Sequence, residues 1–145
     1  MEAEQVVAEV VGRARAAQAA VDGWDAQRVR ELTDAVAYAV ARKDRAEALA
    51  RLAVDEAGFG NYDDKVFKIQ RRVLGVLADL RTAPTVGVVE TDPDRGLVKI
   101  AKPVGVVAAL IPTTGPDATP PVKALFALAG RNAVVFAAHP RSART

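Results

Sequence analysis

The feature that most constrains the fold is an uninterrupted apolar run at residues 104–111. A strand that is buried on both faces reads as such a run. The loop 112–117 follows, and then a helix for which Thr119 is the expected N-cap and Gly130 the expected end. A second apolar run at 132–136 predicts another strand. Strand, helix and strand in this order predict a parallel, right-handed βαβ unit.

Two parallel strands of this kind need further strands at their edges and helices on both faces. The sequence contains one crossover helix and no third strand of the same type. We therefore expect an incomplete sheet whose open edges are prone to association.

Helical spacing dominates the residues before these strands. Apolar residues recur every three or four positions from Val6 to Ala17 and from Val29 to Val40. Asp44 and Glu47 have the spacing of a capping box, which predicts that the second helix restarts there and ends at Gly58. A third helix is predicted to begin after the N-cap Asn61 and to bury Val66, Ile69, Val73, Leu77 and Leu80. Four basic residues lie mostly off this stripe, and the two arginines among them are expected on the solvated surface and not at a phosphate: Lys65, Lys68, Arg71 and Arg72.

After these helices the period changes to that of strands. The β-branched runs 86–91 and 97–102 are joined by Asp-Pro-Asp-Arg-Gly at 92–96, which predicts a β-hairpin. Val98 and Ile100 point to one face of it, so we expect that face to be covered.

Composition excludes several classes of protein. Twenty Lys and Arg against eighteen Asp and Glu leave a net charge of only +2, and the basic residues are scattered, so no nucleic-acid partner is predicted. No apolar run is long enough for a membrane span, and the acidic start does not suit a secretory signal, so we expect a soluble, cytoplasmic protein. The absence of cysteine excludes a disulfide and a cysteine nucleophile within the chain, and no metal site is predicted.

Several ordered motifs carry a family resemblance. They are Lys-Pro-Val-Gly-Val-Val at 102–107, Pro-Thr-Thr-Gly-Pro at 112–116, Arg-Asn-Ala-Val-Val-Phe at 131–136 and His-Pro-Arg at 139–141. Together with Glu-Ala-Gly-Phe-Gly at 56–60, they resemble the CoA-acylating branch of the aldehyde dehydrogenase superfamily. This branch includes the aldehyde half of bifunctional aldehyde–alcohol dehydrogenases.

The resemblance implies a reaction in which an aldehyde and CoA give acyl-CoA while NAD or NADP accepts a hydride. It implies that Ile111, Pro112, Thr113 and Thr114 line the nicotinamide side of a cofactor site. His139 and Arg141 follow the second strand, where the family contacts the adenosine ribose. Arg141 alternatively meets a phosphate of NADP or CoA.

The catalytic cysteine and the phosphate-binding loop of the family lie beyond the matching region, so no catalytic residue is assigned. An Asn in the loop after the first strand helps to stabilise the substrate oxyanion in the family. That role falls at Thr114 or Gly115 here, and neither has a side-chain amide.

The sequence therefore predicts an α/β chain in three parts. Residues 1–82 form a helical segment, residues 85–102 form a hairpin that acts as an oligomerisation arm, and residues 103–145 begin a truncated, Rossmann-like NAD-binding domain. We expect the chain to be inactive alone and to form homo-oligomers. The alternative is a non-catalytic module that associates with a complete dehydrogenase subunit through the hairpin and the open sheet edge.

Overall fold

The computed structural model describes residues 2–145. Four helices come first, a hairpin follows, and a βαβ unit ends the described chain. The elements are α1 Ala3–Val21, α2 Ala26–Ala41, α3 Lys43–Ala57, α4 Tyr62–Thr82, β1 Gly87–Asp92, β2 Leu97–Ala101, β3 Val106–Ile111, α5 Thr119–Ala129 and β4 Ala133–Ala138, with a short 3-10 helix at Pro140–Ser142. This order confirms the predicted class, with N-terminal helices, a hairpin and a βαβ unit.

The parallel sheet consists of β3 and β4. Val106 lies opposite Ala133, and Ile111 lies opposite Ala138. Helix α5 contacts both strands, as the crossover of a βαβ unit does, and α1 also packs against them. Ile111 is buried, whereas the neighbouring Leu110 points to the other face and is 75% exposed. The expectation of burial on both faces is therefore wrong at Leu110 and at Phe136, which is 42% exposed, because no described element covers them. It is also wrong at Val104, which lies before β3 and is 82% exposed.

The helical core is built from smaller residues than the sequence pattern suggested. The buried positions of α2 are spaced by four and include one hydroxyl: Val29, Thr33, Ala37 and Ala41. The predicted Leu32, Val36 and Val40 flank this line and are half-buried. In α3 the buried positions are all alanines, at 46, 50, 53 and 57. Alanine at these positions lets the helices approach closely, so their larger neighbours fill the margins of the interface.

Two predicted helix starts are wrong. Helix α3 begins after Arg42, which makes no side-chain cap, and Asp44 lies in its first turn instead of capping it. Helix α5 begins at Thr119, so Ala118 and not Thr119 is the N-cap residue. In α1 only Ala14 is buried, and Ala17 is exposed. The ends at Gly58, which has φ of +72°, and at Gly130 are confirmed.

The hairpin is confirmed, and it stands away from the core. Strands β1 and β2 pair antiparallel, with an irregularity between Val88 and Glu90. Val98 and Ile100 are each 56% exposed and Val88 is 59% exposed. The sequence predicts that this apolar face is covered, but no element among residues 2–145 packs over it.

Asn132 joins the two strands of the βαβ unit to the helix between them. It is 8% exposed, and its Oδ1 accepts hydrogen bonds from the backbone N–H groups of Val104 (2.7 Å) and Gly105 (3.0 Å). Its Nδ2 donates to the carbonyl of Ala127 at 3.1 Å. One side chain thus fixes the entry to β3, the end of α5 and the start of β4.

Replacing this amide should destabilise the fold. Asn132→Ala leaves the N–H groups of Val104 and Gly105 without their partner, whereas the carbonyl of Ala127 keeps its hydrogen bond from the backbone N–H of residue 132. We expect a loss of about 2–3 kcal/mol in the free energy of unfolding, measured by urea denaturation. Asn61→Ala is the control, because it removes an exposed N-cap bond to Asp64 and should cost only about 1 kcal/mol. Equal losses for both variants would contradict the joining role of Asn132.

Candidate active site at the carboxyl edge of the sheet

Every residue that the sequence indicated for cofactor binding lies at one edge of the parallel sheet. The register places Ile111 beside Ala138, so the loop 112–118 and the segment 139–142 leave the sheet side by side. In open α/β sheets this carboxyl edge is where ligands bind. Two segments that are far apart in sequence are therefore brought to the same place.

The loop after β3 is a tight turn with a buried hydroxyl. The N–H of Gly115 donates to the carbonyl of Pro112 at 3.2 Å, and the N–H of Thr119 donates to the carbonyl of Gly115 at 3.0 Å. Thr113 Oγ1 is buried and has no hydrogen-bond partner, while Thr114 is exposed. A hydroxyl can both donate and accept, so Thr113 keeps an unsatisfied polar group inside the turn.

Gly115 leaves the loop without an amide side chain. A Cβ added there would lie 2.8 Å from Thr119 Oγ1, so any larger residue requires that hydroxyl to move. The N–H of Gly115 is already used within the turn. Neither Gly115 nor Thr114 supplies the side-chain amide that an oxyanion site uses.

The second segment begins with a local cap. His139 Nδ1 accepts a hydrogen bond from the N–H of Arg141 at 3.1 Å. Arg141 is exposed, and its guanidinium makes no ion pair within the described chain. The side chains of His139 and Arg141 form no hydrogen bond with the loop after β3 among residues 2–145. The two segments are thus neighbours at one edge without direct bonds.

The end of the described chain is anchored on α3. Glu56 accepts hydrogen bonds from the N–H groups of Arg144 and Thr145, each at 2.8 Å, and from Thr145 Oγ1 at 2.6 Å. The Thr145 hydroxyl is the main reason that the pKa of Glu56 lies below its ordinary value. Ser142, which is 2% exposed, lies in the same segment, and its Oγ is buried without a partner.

A buried charge cluster supports the loop, and sequence reasoning missed it. Asp117 is 1% exposed and lies 2.9 Å from Lys68 Nζ and 3.7 Å from Lys65 Nζ. Neither contact has hydrogen-bond geometry. The Lys65 side chain is 6% exposed, and the Lys68 side chain is 32% exposed. Two cations of α4 therefore hold the last residues of the loop through one carboxylate.

The position predicted for Lys65 is wrong, for a reason that the sequence contains. Lys65 precedes Ile69 by four residues and Val73 by eight, so all three share the buried face of α4. Burial lowers the pKa of Lys65 below its ordinary value of 10.5, and the charge of Asp117 partly opposes this shift. Asp117 itself gave no signal in the sequence, because it directly precedes Ala118, the N-cap residue of α5, where an acidic side chain is usually a solvated charge at the start of a helix.

No group of three or more His, Cys, Asp or Glu side chains is placed to hold a metal ion in the part of the chain that the structure describes. None of its described helices has the length and apolar character needed to span a membrane.

Known proteins resemble the chain along its whole length. The model of the aldehyde dehydrogenase family matches residues 1–145. A sulfoacetaldehyde dehydrogenase of an Acholeplasma species is 45% identical over 132 residues, which are 91% of this chain and 27% of the relative. The acylating sulfoacetaldehyde dehydrogenase of Cupriavidus necator is 43% identical over 143 residues, which are 99% of this chain and 29% of the relative. The acetylating succinate-semialdehyde dehydrogenase of Clostridium kluyveri is 36% identical over 142 residues, which are 98% of this chain and 31% of the relative.

Solved structures of aldehyde dehydrogenases superpose on this chain over most of its length. The acetylating aldehyde dehydrogenase of Geobacillus thermoglucosidasius superposes with a TM-score of 0.90 at 36% identity, over 97% of this chain and 30% of that one. A propionaldehyde dehydrogenase of Rhodopseudomonas palustris with bound CoA superposes with a TM-score of 0.78 at 28% identity, over 92% of this chain and 30% of that one. The chain thus spans less than a third of the proteins that it matches, and it corresponds to the N-terminal region of acylating aldehyde dehydrogenase structures. The chain belongs to the aldehyde dehydrogenase family.

Proposed function

We propose that the chain forms the N-terminal part of a CoA-acylating aldehyde dehydrogenase. The reaction is aldehyde plus CoA plus NAD(P)⁺ giving acyl-CoA plus NAD(P)H and a proton, or the reverse. The observation that carries this proposal is that family members of the acylating type match nearly every residue of the chain. The names of the relatives include sulfoacetaldehyde and succinate semialdehyde, so we propose an aldehyde whose far end is anionic as the substrate class.

Within this function, the carboxyl edge of the sheet is assigned to the cofactor. When bound, NAD or NADP accepts the hydride and CoA takes the acyl group. Ile111, Pro112, Thr113 and Thr114 would shape the nicotinamide side. His139 would contact the ribose, and the unpaired guanidinium of Arg141 suits either the ribose or a phosphate of NADP or CoA.

The family's catalytic cysteine, which is the nucleophile, would lie outside these 145 residues, because they contain no cysteine. We therefore expect the chain alone to show no turnover. In the same proposal, residues 1–82 are a helical segment, residues 85–102 an arm and residues 103–145 the start of the NAD-binding domain.

The hairpin supports a further role in assembly. Val88, Val98 and Ile100 each expose more than half of their surface. An apolar strand face of this kind is commonly covered by another chain. We infer that it joins subunits into a homo-oligomer. A non-catalytic module that joins a complete subunit through the same face is the second candidate.

A chimera tests the proposed function. These 145 residues replace the matching segment of the Cupriavidus necator enzyme, and the formation of NAD(P)H from an aldehyde is measured with and without CoA. We expect CoA-dependent turnover by the chimera and none by the chain alone. The unaltered host enzyme is the control for the assay. A folded chimera without turnover would favour the non-catalytic module instead.

A further inference from the structure

A cationic groove lies beside the loop after β3, between α4 and α5. Its volume is about 560 Å³. Lys68 and Arg72 line it from α4, Thr114 and Gly115 from the loop, and Thr119 and Lys123 from α5. Val122 and Phe126, which is 55% exposed, give its far end an apolar surface.

The charge of this groove is positive and incompletely balanced. No Asp or Glu of the described chain lines it. The nearest carboxylate is that of Asp117, which Lys68 shares with Lys65, so these three groups carry a net charge of +1. Arg72 makes no ion pair among residues 2–145, and Lys123 Nζ donates only to the carbonyl of Leu110, at 2.7 Å. Together these groups carry three positive charges in excess.

Lys68, Arg72 and Lys123 are placed so that they could bind one end of a short ligand. Thr114 and Gly115 belong to the turn at which the family resemblance places the oxyanion of the substrate. Lys68, Arg72 and Lys123 lie around the same groove but on the two helices. A small molecule with its carbonyl at the turn would thus have its other end among the cations. Guanidinium and ammonium groups bind sulfonate and carboxylate oxygens by charge-assisted hydrogen bonds.

We propose that this groove is an anion subsite in which Arg72, with Lys68 and Lys123, binds the sulfonate or carboxylate tail of the aldehyde. The inference rests on the proposed function, in which the chain is part of an enzyme that binds an aldehyde with an anionic far end. Arg72 is the main specificity residue, because it lacks an internal partner and offers a planar fork of donors. Arg71, its neighbour, stacks over Phe67 at 5.8 Å and does not line the groove.

The test is a binding measurement on the chain as it stands, without turnover. NMR follows the chemical shifts of the backbone amides of Gly115, Thr119 and Lys123 during three titrations. The added compounds are isethionate, which carries a sulfonate, 4-hydroxybutyrate, which carries a carboxylate, and ethylene glycol, which is uncharged. We expect saturable shifts with the two anions only, and the tighter of them identifies the tail. Arg72→Gln should weaken binding about tenfold, and Arg72→Lys should restore part of it. Arg71→Gln, which removes the same charge one residue away, should leave the affinity unchanged.

Several outcomes would overturn the anion subsite. They are an absence of saturable shifts with either anion, an equal response to ethylene glycol, and equal weakening by Arg72→Gln and Arg71→Gln. Shifts produced by CoA alone would assign the groove to a nucleotide and would equally refute it. Because this assay needs no catalysis, an inactive chimera would reject the proposed function without changing the result for the groove.

Discussion

Asp117→Asn should lower the free energy of unfolding by about 3 kcal/mol or more. The substitution keeps the shape of the side chain but removes the only carboxylate that pairs with Lys65 among residues 2–145, and the Lys65 side chain is 6% exposed. A buried ammonium without a counter-charge is the costliest kind of polar burial. Urea denaturation of the purified variants measures the loss. A second substitution, Lys65→Met, removes that ammonium and should recover most of the stability.

The control for this prediction is an exposed ion pair. Asp34 lies 3.2 Å from Arg81, and both side chains are largely solvated, so Asp34→Asn should cost less than about 1 kcal/mol. A loss for Asp117→Asn as small as that of Asp34→Asn would show that the buried cluster does not support the loop.

The same cluster predicts a pH dependence. Burial lowers the pKa of Lys65 from its ordinary value of 10.5, so the folded chain pays for the buried charge only below that lowered pKa. As pH rises from the folded-state pKa towards 10.5, Lys65 loses its proton in the folded state first, and this penalty disappears. The deficit of Asp117→Asn should therefore shrink at alkaline pH. A deficit that grows with pH in this range would contradict the assignment.

The second large effect concerns Gly115 in the chimera. Gly115→Asn should raise kcat about 100-fold, because one oxyanion donor is typically worth about 3 kcal/mol of transition-state stabilisation. The added Cβ would lie 2.8 Å from Thr119 Oγ1, and that hydroxyl is the end of a side chain that can rotate away.

Gly115→Ala separates the amide from the added bulk. It introduces the same Cβ without a donor, so we expect no increase in kcat. An equal increase in both variants would mean that the stiffer backbone, and not the oxyanion donor, is responsible.

The elements of the fold were predictable because strong local signals mark them. The change from helical to strand spacing near residue 85 and the apolar runs around Val106 and Val134 correctly gave the hairpin and the βαβ unit. The buried lines of α2 and α3 were not predictable from apolar size, because alanine packs two helices closely while larger residues flank the contact.

The site was predictable only in part. The motifs at residues 112–116 and 139–141 lie at one edge of the sheet, since parallel strands bring their carboxyl ends together, and their role in cofactor binding stays a prediction. The cluster of Lys65, Lys68 and Asp117 depends on how α4 packs against the loop, and spacing within one helix does not encode that contact. The same packing forms the cationic groove, so its charge emerged only from the assembled structure.

The most direct test of the central claim is the product formed by the chimera. With an aldehyde, CoA and NAD(P)⁺ supplied, acyl-CoA and NAD(P)H should appear in equal amounts, as measured by mass spectrometry and absorbance. Formation of the free carboxylate without acyl-CoA, or no product from a correctly folded chimera, would contradict the claim that this chain belongs to an acylating enzyme.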